Sequence, residues 1–197
     1  MAHLPHSPAS KVQHGASLIM VLLVLMIVSI LGVGGAQIAL MGERSARNDS
    51  NYQMAWQSAE AALQEAEVDM RTGTRQGLFA PNIKNAFFDG CGSSGTSKGL
   101  CNPSIAGKPV WLSADFTSSS SPATEFGDFT SRAFSSGSVG IQPVKKPRYL
   151  IEVLDDPDVG GSLKAGTQKK YIYRVTSMGF GPRDDIQAVM QMIFRKE

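Results

Sequence analysis

The sequence has little of what most enzymes require. Its only histidines are His3, His6 and His14, so the rest of the chain has no imidazole for acid–base catalysis or metal binding. No nucleophile–base pair, paired-carboxylate site or phosphate-binding loop is recognisable. Charged residues make up only 18% of the 197 residues, and a formal net charge of +2 does not favour nucleic acid as a partner. We therefore expect a structural protein with no catalytic residues, no cofactor and no metal.

A long uncharged stretch lies near the start of the chain. No formally charged residue occurs between Lys11 and Glu43, and residues 16–40 are almost entirely apolar. As a helix of about 1.5 Å per residue they would extend roughly 37 Å, enough to cross a hydrocarbon core of about 30 Å. Lys11 precedes the stretch without an acidic residue, which predicts a cytoplasmic N-terminus. The stretch fits either a retained membrane anchor or a cleaved secretory signal with residues 18–31 as its apolar core.

Helical character continues beyond the apolar stretch, which favours the retained anchor. Residues 51–70 contain neither Gly nor Pro and are rich in Ala, Glu and Gln. Their apolar residues recur at spacings of three and four: Ala55, Ala59, Ala62, Leu63, Ala66 and Met70. Gly73 follows as a stop signal. This pattern predicts an amphipathic helix that needs a folded domain against which to pack.

Strand patterns dominate the end of the chain. Alternating apolar residues occur after Pro147, around residues 171–176 and from Ile186 to Phe194, and a Gly- and Pro-containing connection separates the last two runs. We predict an α+β fold in which the helix packs on a C-terminal antiparallel sheet of about three to four strands. The residues expected to pack on the sheet are Ala55, Trp56, Ala59, Ala62, Leu63 and Ala66.

Residues 13–70 resemble the N-terminal region of the PilX family of type IV pilus assembly proteins, which are minor pilins. The resemblance rests on the segment HGASLIMVLLVLMIVSILG, on GERSARN, and above all on YQMAWQSAEAALQEAE around Trp56. It implies that prepilin peptidase cuts between Gly15 and Ala16 and methylates the new terminus. The general pilin pattern has Glu at the fifth mature position, where this chain has Met20. PilX-type proteins commonly lack this acid too.

The resemblance and the residue patterns together give a domain organisation of a type IV pilin-like chain. The expected parts are a leader peptide at 1–15, a transmembrane or filament-core helix at 16–42, its amphipathic continuation at 43–72, an irregular region at 73–147 and the sheet at 148–197.

The irregular region contains both cysteines and a serine-rich tract. Cys91 and Cys101 flank a Gly- and Ser-rich segment, and in an oxidising periplasm we expect them to form a disulfide. Four phenylalanines lie within the tract at residues 113–138, which indicates intramolecular anchoring, with a partner surface as the alternative. The acidic turn at residues 155–161 is expected to be a solvated turn rather than a calcium loop.

The resemblance implies a minor pilin that takes part in priming and tip assembly. Its partners would be other minor pilins, the major pilin, prepilin peptidase and a tip adhesin. It would be a single-pass inner-membrane protein with a periplasmic head, and would reach the pilus tip after assembly. Two alternatives remain open at this point. One is a type II secretion tip pseudopilin, and the other is a periplasmic binding module with a cleaved signal or a simple membrane anchor.

Overall fold

The computed structural model describes residues 16–80, 82–160 and 170–196. Helix α1 runs from Ala16 to Thr72, and the chain divides into two compact units at residues 1–47 and 48–197. We call the second unit the head. The proposed leader, including Gly15, lies outside the described residues.

The described part of the first unit is the beginning of α1. The large apolar side chains of residues 17–41, which we call the anchor segment, are between 50% and 73% exposed. Among the described helices, α1 alone is long and apolar enough to cross a membrane. Its sequence contains no Pro, and three glycines at 32, 34 and 35 lie in open space.

The head is built on a sheet that α1 covers. Strands β3 (Arg148–Asp155), β4 (Tyr171–Phe180) and β5 (Gln187–Phe194) pair in antiparallel order, as the period-two apolar runs predict. The predicted α+β, pilin-like arrangement of a long N-terminal helix on a C-terminal sheet is confirmed. Helix α3 (Pro157–Gly160) follows β3.

The sheet has five strands and is mixed, so the expectation of a purely antiparallel sheet is corrected. Strand β1 (Leu100–Cys101) pairs in parallel with β3, and β2 (Thr124–Glu125) pairs antiparallel with the same edge of β3. Both strands are two residues long. A two-residue strand is too short to produce a recognisable alternation, which is why the sequence does not reveal them.

The region between α1 and β3 has more structure than its composition suggests. It contains two short 3-10 helices, η1 (Gln76–Phe79) and η2 (Gly95–Ser97), and helix α2 (Val110–Ser113). Within the serine-rich tract, Phe116 and Phe126 are buried. Phe116 packs with Cys101 and Leu150 in a cluster on one side of the sheet. These two phenylalanines are therefore anchored within the head, as the first of the two interpretations of the tract proposed.

The main core lies between α1 and the sheet. Ala55, Ala59, Ala62, Leu63 and Ala66 are all buried on the helix face that meets the strands. Trp56 departs from the expected set, because its side chain is 46% exposed. A step of one residue rotates the side chain by about 100° around a helix, which takes Trp56 away from the centre of the buried face.

Candidate functional site

The anchor segment is the largest apolar surface on the described chain. No charged residue interrupts it, and Met20, at the position where the general pilin pattern has Glu, is 71% exposed. A continuous exposed apolar surface along so many residues is typical of a segment that contacts lipid or other apolar helices. The first ion pair after it joins Glu43 and Arg47 across 2.6 Å on the exposed helix surface. The segment can therefore provide apolar contacts but no charge.

Strand β4 comes very close to α1 at Gly179. A Cβ atom at Gly179 would collide with the backbone nitrogen of Ala59 and the backbone oxygen of Ala55. Two residues earlier, the Ser177 hydroxyl donates a hydrogen bond of 2.8 Å to the carbonyl oxygen of Ala59. Small residues on both sides thus allow backbone-to-backbone contact. The two alanines were predicted from their spacing, but Gly179 was missed because a single glycine in a strand pattern does not indicate what lies opposite.

A buried polar cluster connects the end of α1 to the rest of the head. The Asp69 carboxylate accepts hydrogen bonds from the Arg75 guanidinium at 2.7 Å and from the Tyr149 hydroxyl at 2.8 Å. Arg75 also donates to the carbonyl oxygens of Thr96 and Lys98, at 3.0 and 2.5 Å. Burial raises the pKa of Tyr149 well above its ordinary value, and the nearby negative charge of Asp69 raises it further. The cluster therefore joins helix, sheet and disulfide loop.

A second buried carboxylate, Glu65, fastens the serine-rich tract to the helix. It accepts hydrogen bonds from the Gly127 amide at 3.1 Å, from the Thr130 hydroxyl and from the Arg132 guanidinium at 2.9 Å. Arg132 is about half exposed, whereas the Glu65 side chain is fully buried. Glu65 and Asp69 are both fully buried, although carboxylates on an amphipathic helix usually face water. They are buried because loop residues supply the donors that compensate their desolvation.

The disulfide lies at the β1 edge of the sheet. Cys91 and Cys101 are bonded to each other, and Cys101 belongs to β1. Cys91 has a positive φ of 74°, as does Gly90 before it. The Gly99 carbonyl accepts a hydrogen bond of 2.8 Å from the Ile151 amide, which ties the loop to β3. The ten-residue separation thus closes a small loop around η2.

The acidic turn is partly described, since Gly161 lies outside the described residues. Asp156 accepts hydrogen bonds from the Asp158 amide at 3.0 Å and from Arg195 at 2.9 Å. Asp158 also pairs with Arg195 at 2.6 Å. Within the described part of the chain, no group of three or more His, Cys, Asp or Glu residues is arranged to hold a metal ion. Arg195 therefore supplies the positive charge that these carboxylates face.

Comparison with known families accounts for both ends of this architecture. Residues 14–64 match the PilX N-terminal family, and residues 88–196 match the family described as type IV pilus assembly protein PilX C-term. No curated protein and no solved structure matches the chain. The two family matches together cover the anchor segment, most of the remaining helix and nearly the whole sheet region. The chain therefore belongs to the PilX family of type IV pilus assembly proteins.

Proposed function

We propose that this chain is a minor pilin that takes part in priming and tip assembly of a type IV pilus. The observation that carries the proposal is the exposed anchor segment, which lies on the same helix that forms the core of the head. Such a segment can stay in lipid before assembly and exchange lipid for other apolar helices during assembly. Membership of a pilus assembly family supports the same role.

The precursor would be a single-pass inner-membrane protein with its head in the periplasm. Lys11 and the amino terminus would stay on the cytoplasmic side, where prepilin peptidase would cut between Gly15 and Ala16 and methylate Ala16. The bond between Cys91 and Cys101 agrees with this location, because disulfides persist in oxidising compartments. Other minor pilins and the major pilin would contact the anchor segment, and a tip adhesin would contact the head.

The processing step has a direct test. Intact-mass analysis of the protein from membranes should give a chain that begins at Ala16 and carries one methyl group. A chain that begins at Gln37 would identify an ordinary secretory signal and would contradict the anchor.

The assembly role is tested in a deletion strain complemented with variants of the full-length chain. Wild-type protein should restore the number of pili per cell, and tagged protein should be found at one end of sheared pili. Val24→Lys places a charge in the anchor segment and should abolish complementation. Val139→Lys is the matched control, because it places the same charge at a head residue that is 82% exposed.

Two results would contradict the proposal. One is a deletion strain with an unchanged number of pili. The other is full complementation by Val24→Lys at wild-type protein levels, since it would mean that apolar helix contacts are not required.

A further inference from the structure

The two edges of the sheet differ. On one side, β3 is covered by the two short strands β1 and β2 and by the disulfide loop. On the other side, β5 is an edge strand of eight residues, and its pairing with β4 continues through all eight without a bulge. Between Gln187 and Phe194 there is no charged residue and no proline. Proteins usually protect exposed edges with Lys, Pro, bulges or short strands, and β5 has none of these.

The direction of the backbone groups on β5 follows from its hydrogen bonds. The Gly181 amide donates to the Ile186 carbonyl oxygen at 2.8 Å, which makes this a hydrogen-bonding position of the β4–β5 ladder, although the Ile186 amide itself donates to Arg183 in the turn. Such positions alternate along an antiparallel ladder. Val189, Gln191 and Ile193 therefore direct their N–H and C=O groups away from β4. Among the described residues, none of these groups has a hydrogen-bond partner.

The side chains at the same positions form an apolar outer surface. Val189 and Ile193 are 46% and 58% exposed, and Gln191 between them donates a hydrogen bond of 2.9 Å to the Thr176 hydroxyl. Gln191 thereby satisfies one polar group within the sheet. A strand placed beside β5 would meet backbone donors and acceptors flanked by two aliphatic side chains.

The helix face above this edge carries the exposed Trp56. Trp56, Leu63 and Arg71 lie on the same side of α1. The steps between them are seven and then eight residues, and each step is about two helical turns. The Arg71 guanidinium lies 5.0 Å from the ring centre of Phe194, the last residue of β5, so this side of the helix borders β5. Trp56 is thus available to contact the helix-facing side chains of a strand added at the edge. Aromatic residues of this kind commonly anchor protein interfaces.

We propose that β5 is a docking edge for an extended, uncharged segment of another protein of the pilus machinery. The segment would pair with β5 as a sixth strand, next to the five that the chain supplies. Its side chains would alternate between Trp56 on the helix side and Val189 and Ile193 on the other. This inference goes beyond the helix packing of the proposed function, and it depends on that function only in assigning the partner to the pilus machinery.

A second copy of this chain does not fit the edge. Two β5 strands paired by a twofold axis would run in opposite directions, and so would the two copies of α1. Chains anchored in one membrane with the same topology have their helices in the same direction. The occupant is therefore a different chain, and its segment should lack charges because β5 offers none to pair with.

Site-specific photo-crosslinking in cells tests the proposal with the full-length protein. A photo-reactive benzoylphenylalanine replaces Gln191 in one strain and Ile193 in another. Moving the probe by two residues should move the crosslinked residue of the partner by two residues along a single extended segment. This two-residue step is the signature of a strand ladder, and a partner bound through a helix or an irregular loop would not produce it.

Two further probe positions distinguish a failure of the docking edge from a failure of the proposed function. A probe at Val24 in the anchor segment reports the helix contacts of the proposed function, and a probe at Leu112, which is 57% exposed outside β5, reports non-specific contact of the head. Crosslinks from Val24 to other pilins without any from Gln191 or Ile193 would overturn the docking edge and leave the proposed function intact. The absence of crosslinks from all positions would overturn both.

Charge substitutions provide a second measurement. The double variant Val189→Lys/Ile193→Lys should lose the crosslink from Gln191, because lysines block strand addition at an edge. Leu112→Lys is the matched control and should leave the crosslink unchanged. Retention of the Gln191 crosslink and of the two-residue step in the double variant would contradict docking at this edge.

Discussion

Asp69 and Arg75 form an ion pair in which both side chains are fully buried, with 2.7 Å between the Arg75 Nη2 and Asp69 Oδ2 atoms. Asp69 lies in the last turns of α1, and Arg75 follows the end of that helix. Phe129 covers the pair, because its ring centre lies 3.7 Å from the Arg75 guanidinium carbon. The pair therefore joins the helix to the serine-rich tract as well as to the sheet. This arrangement makes the stability of the head depend on two charges that do not contact water.

Asp69→Asn should destabilise the protein by about 3–5 kcal/mol, because it leaves the Arg75 charge buried without its partner. Chemical unfolding of the full-length chain in detergent, followed by near-UV circular dichroism, measures the change. Glu67→Gln is the matched control, since it breaks the exposed pair of Glu67 with Arg71 and should cost less than about 1 kcal/mol. Equal effects of the two substitutions would contradict a special role of the buried pair.

Gly179→Ala should destabilise the head by about 1–3 kcal/mol, because the added methyl group forces α1 away from β4. The same unfolding measurement applies. Gly77→Ala serves as the control, since a Cβ at Gly77 meets no atom within 4 Å and its φ is not in the left-handed region. We expect the control to change stability by no more than about 0.5 kcal/mol. A neutral Gly179→Ala variant would mean that the helix and the sheet separate at little cost.

Alkaline pH should weaken the head through Tyr173. Burial, and to a lesser extent the nearby Tyr171, raises the pKa of Tyr173 to about 12, and its hydroxyl donates a hydrogen bond to the Ala80 carbonyl oxygen at 3.2 Å. The unfolded chain releases this proton at about pH 10, before the folded chain does. The stabilisation is therefore complete below about pH 10 and is lost as the pH rises towards about 12.

The test of this pH dependence compares wild type with Tyr173→Phe. The free energy of unfolding should fall less steeply between about pH 10 and 12 in the variant, because the variant lacks one of the groups that titrate there. Tyr52→Phe is the control, since Tyr52 is half exposed on α1. Identical slopes for wild type and Tyr173→Phe would contradict the raised pKa.

The parts of the fold that could be predicted are those with periodic residues. The apolar run that starts α1, the alanine face from Ala55 to Ala66 and the three long strands all repeat at the spacing of their structure. The fold depends on non-periodic residues as well. Arg75 lies in an irregular stretch, and nothing near it in the sequence indicates that it pairs with Asp69 and reaches the disulfide loop.

Close contacts between residues that are far apart in the sequence could not be predicted either. Gly179 and the pair Ala55 and Ala59 are more than a hundred positions apart, so their meeting depends on how helix and sheet pack. Trp56 was wrongly grouped with the buried face because it adjoins Ala55, although a helix separates neighbouring residues by about 100°.

Met20 should restrict the positions that this chain can occupy in a filament. At the fifth mature position, the acid of the general pilin pattern is expected to pair with the terminal ammonium of a neighbouring subunit within an apolar helix bundle. An unpaired charge in such surroundings costs several kcal/mol. Met20 supplies no carboxylate, so this chain cannot pair the terminus of a subunit ahead of it. The proposed cut after Gly15 would create an Ala16 ammonium on this chain, and the acid of the subunit behind could still pair with it.

The chain should therefore be tolerated best at the tip, where no subunit lies ahead. Met20→Glu should allow tagged protein to enter pilus shafts, whereas Met20→Gln, which has the same shape without the charge, should not. Immunogold labelling of sheared pili measures the positions of the tag. Wild-type label spaced along the shafts would contradict the expected restriction to the tip, because the missing acid would then not keep the chain out of the shaft. If Met20→Gln entered shafts as readily as Met20→Glu, the proposed role of the carboxylate charge would be contradicted, because an uncharged side chain would then be sufficient for entry.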